Sequence, residues 1–112
     1  MIRMKILIVD DEKQIRTILS RLLADEGYTV EAVVSGEEGL KKGLDFQPDL
    51  VLMDLSLPGM DGIETMELLR ARGLEAQVIV MTAYGSVESA VRAMKLGAYH
   101  YIEKPFDNDE LL

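Results

Sequence analysis

The chain has 112 residues, the size of one modest domain, and 48% of them are hydrophobic, ample for a single buried core. Twelve Lys and Arg against twenty Asp and Glu give a formal net charge of -8, which opposes direct binding to nucleic acid or to an anionic membrane surface. Cysteine is absent, which excludes disulfides and thiolate metal sites and is compatible with the cytoplasm, and the longest apolar runs are of strand length with no secretory signal ahead of them.

In chain order, residues 6–9 form a nearly continuous apolar run that predicts a strand buried on both faces. Ile15, Ile18, Leu19, Leu22 and Leu23 then recur at intervals of three and four, one apolar stripe on a helix that stops near Gly27. A softer run at 30–34 predicts the second strand. Ser35 with Glu38 three residues on reads as a capping box opening a second helix, against which Gly39 and Gly43 count as weak helix formers. The run 50–53 predicts the third strand, and Asp61 caps a third helix that passes Met66 and Leu69 toward Gly73. Residues 78–81 predict the fourth strand. Val87, Ala90, Val91 and Met94 form the stripe of a fourth helix, capped from Ser86 and ending at Gly97, and 99–102 predict a fifth strand. Asp107 with Glu110 opens a fifth helix, but only about one turn fits before Leu112. Strand and helix therefore alternate across 1–112 as one domain, an open, doubly wound α/β fold with a parallel five-stranded sheet and an incomplete C-terminal helix. Such a truncation predicts that part of one apolar sheet face is left open or filled by another chain.

In an open parallel sheet the ligand site lies beyond the carboxyl ends of the strands, where the strand order reverses. Strand one ends in Asp10-Asp11, strand three in Asp54, strand four in Thr82 and strand five in Glu103-Lys104-Pro105. Taken alone, each has an ordinary reading: Asp10-Asp11 as a helix N-cap, Asp54 as a loop residue, Thr82 as a β-branched strand residue, Lys104 as a solvated charge. Their joint placement at strand ends overturns those readings. Carboxylates crowded together cannot all stay ionised without a cation, and a hard divalent ion such as Mg²⁺ or Mn²⁺ takes oxygen ligands and leaves room for phosphate oxygens. Asp11 and Asp54 are expected as direct ligands, Asp10 through water, and the backbone carbonyl of Ser56 as a third protein ligand. Lys104 and the Thr82 hydroxyl are the donors available to phosphoryl oxygens, and Asp54, alone at the end of the central strand, is the carboxylate best placed to act as nucleophile. The Lys104-Pro105 bond is a candidate cis peptide.

The segments Ile6-Leu7-Ile8-Val9-Asp10-Asp11-Glu12, Leu52-Met53-Asp54-Leu55-Ser56-Leu57-Pro58-Gly59-Met60-Asp61-Gly62, Met81-Thr82-Ala83 and Glu103-Lys104-Pro105-Phe106 together resemble a response-regulator receiver domain of two-component signalling. The resemblance spans nearly the whole chain, and Ala83-Tyr84-Gly85-Ser86 with the segment around Leu96-Gly97-Ala98-Tyr99 is most similar to receivers of σ54-dependent transcription activators. It implies a flavodoxin-like sheet of order 2-1-3-4-5, an order that general treatments of this fold already illustrate with a receiver. It further implies that Asp54 takes a phosphoryl group from a sensor histidine kinase, that Asp10 and Asp11 organise the metal, and that Lys104 and Thr82 contact the phosphoryl group. Thr82 and Tyr101 would then form a switch that reshapes the surface of the fourth helix, fifth strand and fifth helix. That surface would serve an attached output domain or a homodimer, with no nucleic-acid or membrane contact of the domain's own. The domain would assist its own phosphorylation and dephosphorylation without being a classical enzyme.

Two other readings compete. A haloacid-dehalogenase-type phosphohydrolase also uses an aspartyl nucleophile, but wants a second Asp two residues later, where this chain has Ser56. A receiver-like interaction module that is never phosphorylated would not need all five site residues.

Overall fold

The computed structural model describes residues 3–82 and 87–103, and at Thr82, Val87, Ser89, Ala90 and Glu103 it describes the backbone alone. The strands are β1 (Lys5–Val9), β2 (Thr29–Val33), β3 (Leu50–Asp54), β4 (Gln77–Thr82) and β5 (His100–Glu103). The helices are α1 (Lys13–Asp25), α2 (Gly36–Phe46), α3 (Gly62–Ala71) and α4 (Val87–Lys95). All strand pairs are parallel and the sheet order is β2-β1-β3-β4-β5. The three continuous apolar runs are the three interior strands, while the two softer runs are the edges, where each strand has one hydrogen-bonded neighbour.

Alternation along the interior strands divides the core by sheet face. Leu7, Val9, Val51, Met53, Val78 and Val80 point to the face covered by α2, α3 and α4, where they meet Ile63, Met66, Leu69 and Ala93. Ile6, Ile8, Leu52 and Met81 point to the other face and meet Leu19 and Leu23 of α1. Since β1 runs to β2 on one side through α1, and the chain returns through α2 to β3 on the other side of β1, the order reverses between β1 and β3. The carboxyl ends of those two strands are therefore where a site is expected.

Several helix ends follow from local chemistry. The Ser35 hydroxyl accepts the Glu38 N–H at 3.1 Å, and the Asp61 carboxylate accepts the Glu64 N–H at 2.9 Å, so both predicted caps form. Helices α1 and α3 stop at Gly27 and Gly73, which take φ of +97° and +88°. The glycines that weaken α2 by propensity turn out to be its packing face. A methyl group on Gly39 would lie 3.0 Å from the Val9 side chain, one on Gly43 2.8 Å from Leu69, and one on Gly36 would strike the Met60 carbonyl and the Thr65 hydroxyl. Small residues at this i, i+3, i+7 spacing let α2 settle onto β1 and α3. The fifth helix, Lys104-Pro105 and the Ser86 cap lie outside the described residues. Among the described residues no helix is long and apolar enough to cross a membrane.

Candidate functional site

Register places the acids. Val9 of β1 is opposite Met53 of β3, so Asp10 and Asp54, each one residue further, leave adjacent strands side by side at the switch point. Both are buried, Asp10 at 0% exposure and Asp54 at 2%. Each is oriented in the same way, by a backbone N–H two residues ahead. Glu12 N–H donates to Asp10 Oδ1 and Ser56 N–H donates to Asp54 Oδ1, both at 2.9 Å. These short Asx-type turns bend the chain out of the strand and orient the carboxylates.

The surrounding backbone is held just as closely. The guanidinium of Arg16, on the first turn of α1, donates to the Asp10 carbonyl at 3.0 Å. Leu55 N–H continues the β3–β4 ladder by donating to the Met81 carbonyl at 3.0 Å. A side chain at Gly62 would collide with the Asp54 carbonyl and with Leu55 Cα, so glycine lets α3 start directly against the end of β3. Thr65 is fully buried, and its hydroxyl donates to the Asp61 carbonyl at 2.8 Å, stiffening the same turn from the other side.

Three carboxylates come together: Asp10, Glu12 and Asp54 offer oxygens that all lie within 4.8 Å of one another. Three negative charges that close repel unless a cation sits among them, and a set of oxygen donors at this spacing fits a hard metal ion. The acidic cluster can therefore hold a metal. Asp11 is exposed and is not one of these three. Glu12 is the residue that sequence reasoning passed over. The signal was its place as the third acid of the run after β1, but which of three consecutive acids turns inward is decided by backbone angles. Glu12 occupies the N-cap position of α1 with φ -87° and ψ 115°, and its side chain makes no capping hydrogen bond.

The remaining predicted residues fall as follows. Ser56 is exposed at the start of the β3–α3 loop, and Asp61 serves as the cap expected of it. Thr82 ends β4 with its Cα paired to that of Glu103. Tyr101 is paired with Val80 and is 45% exposed, so its ring lies outward, with the His100 ring centroid 5.9 Å away. Lys104 lies outside the described residues.

The response regulator receiver domain family matches residues 6–112. The Regulatory protein AtoC of Escherichia coli is 45% identical over 96% of this chain, which spans 23% of that protein's length. The Sporulation initiation phosphotransferase F of Bacillus subtilis is 40% identical over 99% of the chain and is matched over 90% of its own length. In three dimensions the chain is similar to a crystal structure of a CheY-like response regulator receiver domain protein from Methanospirillum hungatei. The TM-score is 0.92 at 35% identity, covering 98% of this chain and 88% of that one. Fold, strand order, the acid pair at the β1–β3 switch point and these likenesses lead to one conclusion: the chain belongs to the response-regulator receiver domain family.

Proposed function

We propose that Asp54 is the phospho-acceptor of this receiver domain and that its donor is the phosphohistidine of a sensor histidine kinase. The observation that carries the reading is the placement of a 2% exposed carboxylate at the end of the central strand, beside Asp10 and Glu12, in a chain of this family. In the transfer, an Asp54 carboxylate oxygen bonds to phosphorus while the phosphorus–nitrogen bond breaks, and the imidazole leaves with the bonding electron pair and takes up a proton. Asp10, Asp11, Asp54 and the Ser56 carbonyl are the proposed holders of Mg²⁺ or Mn²⁺, which when bound would offset the acids' repulsion and stabilise charge on the phosphoryl oxygens. The Ser56 N–H bond to Oδ1 holds Asp54 in one rotamer, so the nucleophile is aimed before the donor arrives.

Thr82 and Lys104 are the proposed donors to the phosphoryl group, and Thr82 with Tyr101 the switch. The outward Tyr101 ring supports this, since it leaves the inward position to be taken on phosphorylation. The surface so altered is that of α4, β5 and the predicted fifth helix, where Val91, Met94, Tyr99 and Tyr101 are exposed apolar residues suited to an output domain or a second copy. The name of a relative 42% identical to this chain, the Transcriptional regulatory protein DltR of Streptococcus agalactiae, supports control of transcription as the output, and a chain without cysteine is compatible with the cytoplasm. Neither the domain's charge of -8 nor its apolar patch suits direct nucleic-acid contact.

Nuclear magnetic resonance of the protein with Mg²⁺ and beryllofluoride tests the reading. Shifts centred on Asp54 and extending to β5 are expected in wild type and not in Asp54→Asn. Identical spectra with and without beryllofluoride would contradict it. Lys104→Ala is expected to uncouple adduct formation from the β5 shifts while leaving Mg²⁺ affinity nearly unchanged, and an equal loss of Mg²⁺ affinity in Lys104→Ala and Asp11→Ala would overturn those roles.

A further inference from the structure

The two buried acids are oriented by like turns, but their backbones are anchored by unlike means. Asp54 belongs to β3, and pairing with β4 continues past it, with Leu55 N–H donating to the Met81 carbonyl at 3.0 Å. Asp10 lies one residue beyond Val9, the last paired position of β1 with both β2 and β3. Its N–H still reaches the Val33 carbonyl at 3.2 Å, but its carbonyl is met from outside the sheet, by the Arg16 guanidinium at 3.0 Å. Asp10 is fully buried, a buried backbone carbonyl needs a donor, and a side chain of the following helix supplies one where strand pairing ends. Arg16 N–H also donates to the Glu12 carbonyl at 3.1 Å, so this one residue brackets the acidic segment.

Helix stability does not account for an arginine in this place. The N-terminal turn of a helix favours acids, yet α1 opens with Lys13 and Arg16 and has no acid in its first turn. Arg16 is half-buried, and its guanidinium stays ionised and carries a planar set of donors in fixed geometry. Rotation of the Asp10 peptide would swing the Asp10 carboxylate away from Asp54, and a small misplacement at a reacting centre can cost about a hundredfold in rate. We infer that Arg16 is a positioning residue of the acceptor site: by holding the Asp10 carbonyl where strand pairing ends, its guanidinium fixes the Asp10 carboxylate beside Asp54 for phosphoryl transfer. The inference rests on Asp54 being the acceptor, and it gives Arg16 no contact with the phosphoryl group.

Two substitutions separate the donor from the stem: Arg16→Met keeps an apolar stem and removes the donor, and Arg16→Lys keeps a cationic donor. Amide hydrogen exchange in chelator reads the hold on Asp10 with neither metal nor chemistry involved. In Arg16→Met the Glu12 N–H, which donates to Asp10 Oδ1, is expected to exchange several-fold faster than in wild type, while the Ser56 N–H, which donates to Asp54 Oδ1, exchanges as before. With acetyl phosphate and saturating Mg²⁺, Arg16→Met is expected to form the Asp54 adduct about tenfold more slowly, and Arg16→Lys to stay within about threefold of wild type. Thr65→Val, which also loses a side-chain hydrogen bond to a backbone carbonyl, controls for lost stability and should react at the wild-type rate. Wild-type exchange at Glu12 or a wild-type maximal rate in Arg16→Met would overturn the inference, and so would a Thr65→Val protein as slow as Arg16→Met. Each of these results leaves the acceptor reading intact. A wild-type protein that forms no adduct would overturn that reading and the inference with it.

Discussion

At the scale of single residues, the site sets unfavourable charge against backbone order. Asp10 and Asp54 are buried beside each other, and each accepts a backbone N–H at 2.9 Å. Replacing Asp54 by Asn keeps an oxygen for the Ser56 N–H and removes one negative charge from the cluster. The Asn variant should therefore be more stable than wild type when metal is chelated, on the order of 1 kcal/mol, and gain less from added Mg²⁺. Thermal unfolding in chelator and in Mg²⁺ checks this, and an Asn variant less stable than wild type in chelator would mean that the carboxylates do not repel appreciably. Thr65 offers a contrast, since it is buried for structure alone. Thr65→Val deletes the donor to the Asp61 carbonyl and should cost about 1 kcal/mol by denaturant unfolding, with acceptor chemistry retained.

At the scale of elements, close approach and capping decide how the switch point is built. Helix α2 reaches β1 and α3 only because Gly36, Gly39 and Gly43 line one side of it. Gly36→Ala pits a methyl group against the Met60 carbonyl and should destabilise by roughly 1–3 kcal/mol, despite the gain in helix propensity. A neutral or stabilised variant would show that α2 can move away freely. Asp61→Ala removes the cap of α3 and should lower stability by about 1 kcal/mol in the same assay. The strands and helices were legible from the residues because each carries its own period: continuous runs for interior strands, spaced stripes for helices, glycines at φ near +90° for their ends. The α2 glycines read as a weakness because propensity is local, whereas their use depends on Val9 and Leu69 far along the chain.

At the scale of the whole molecule, the doubly wound order brings together residues that are 44 positions apart, as Asp10 and Asp54 show. That convergence was legible, since strand ends of an open parallel sheet meet at the order reversal. The identity of the inward acids was less so, because Glu12 and Arg16 depend on how α1 starts: a turn angle puts Glu12 in the cluster and a guanidinium reaches back to the Asp10 carbonyl. The most direct measurement of the central claim is the position of a covalent adduct. After incubation with acetyl phosphate and Mg²⁺, borohydride reduction of the acyl phosphate and peptide mass spectrometry should place the modification on Asp54 in wild type. Asp54→Asn should carry none. A modification mapped to Asp10, Asp11 or Glu12, or an unmodified wild-type protein, would contradict the account.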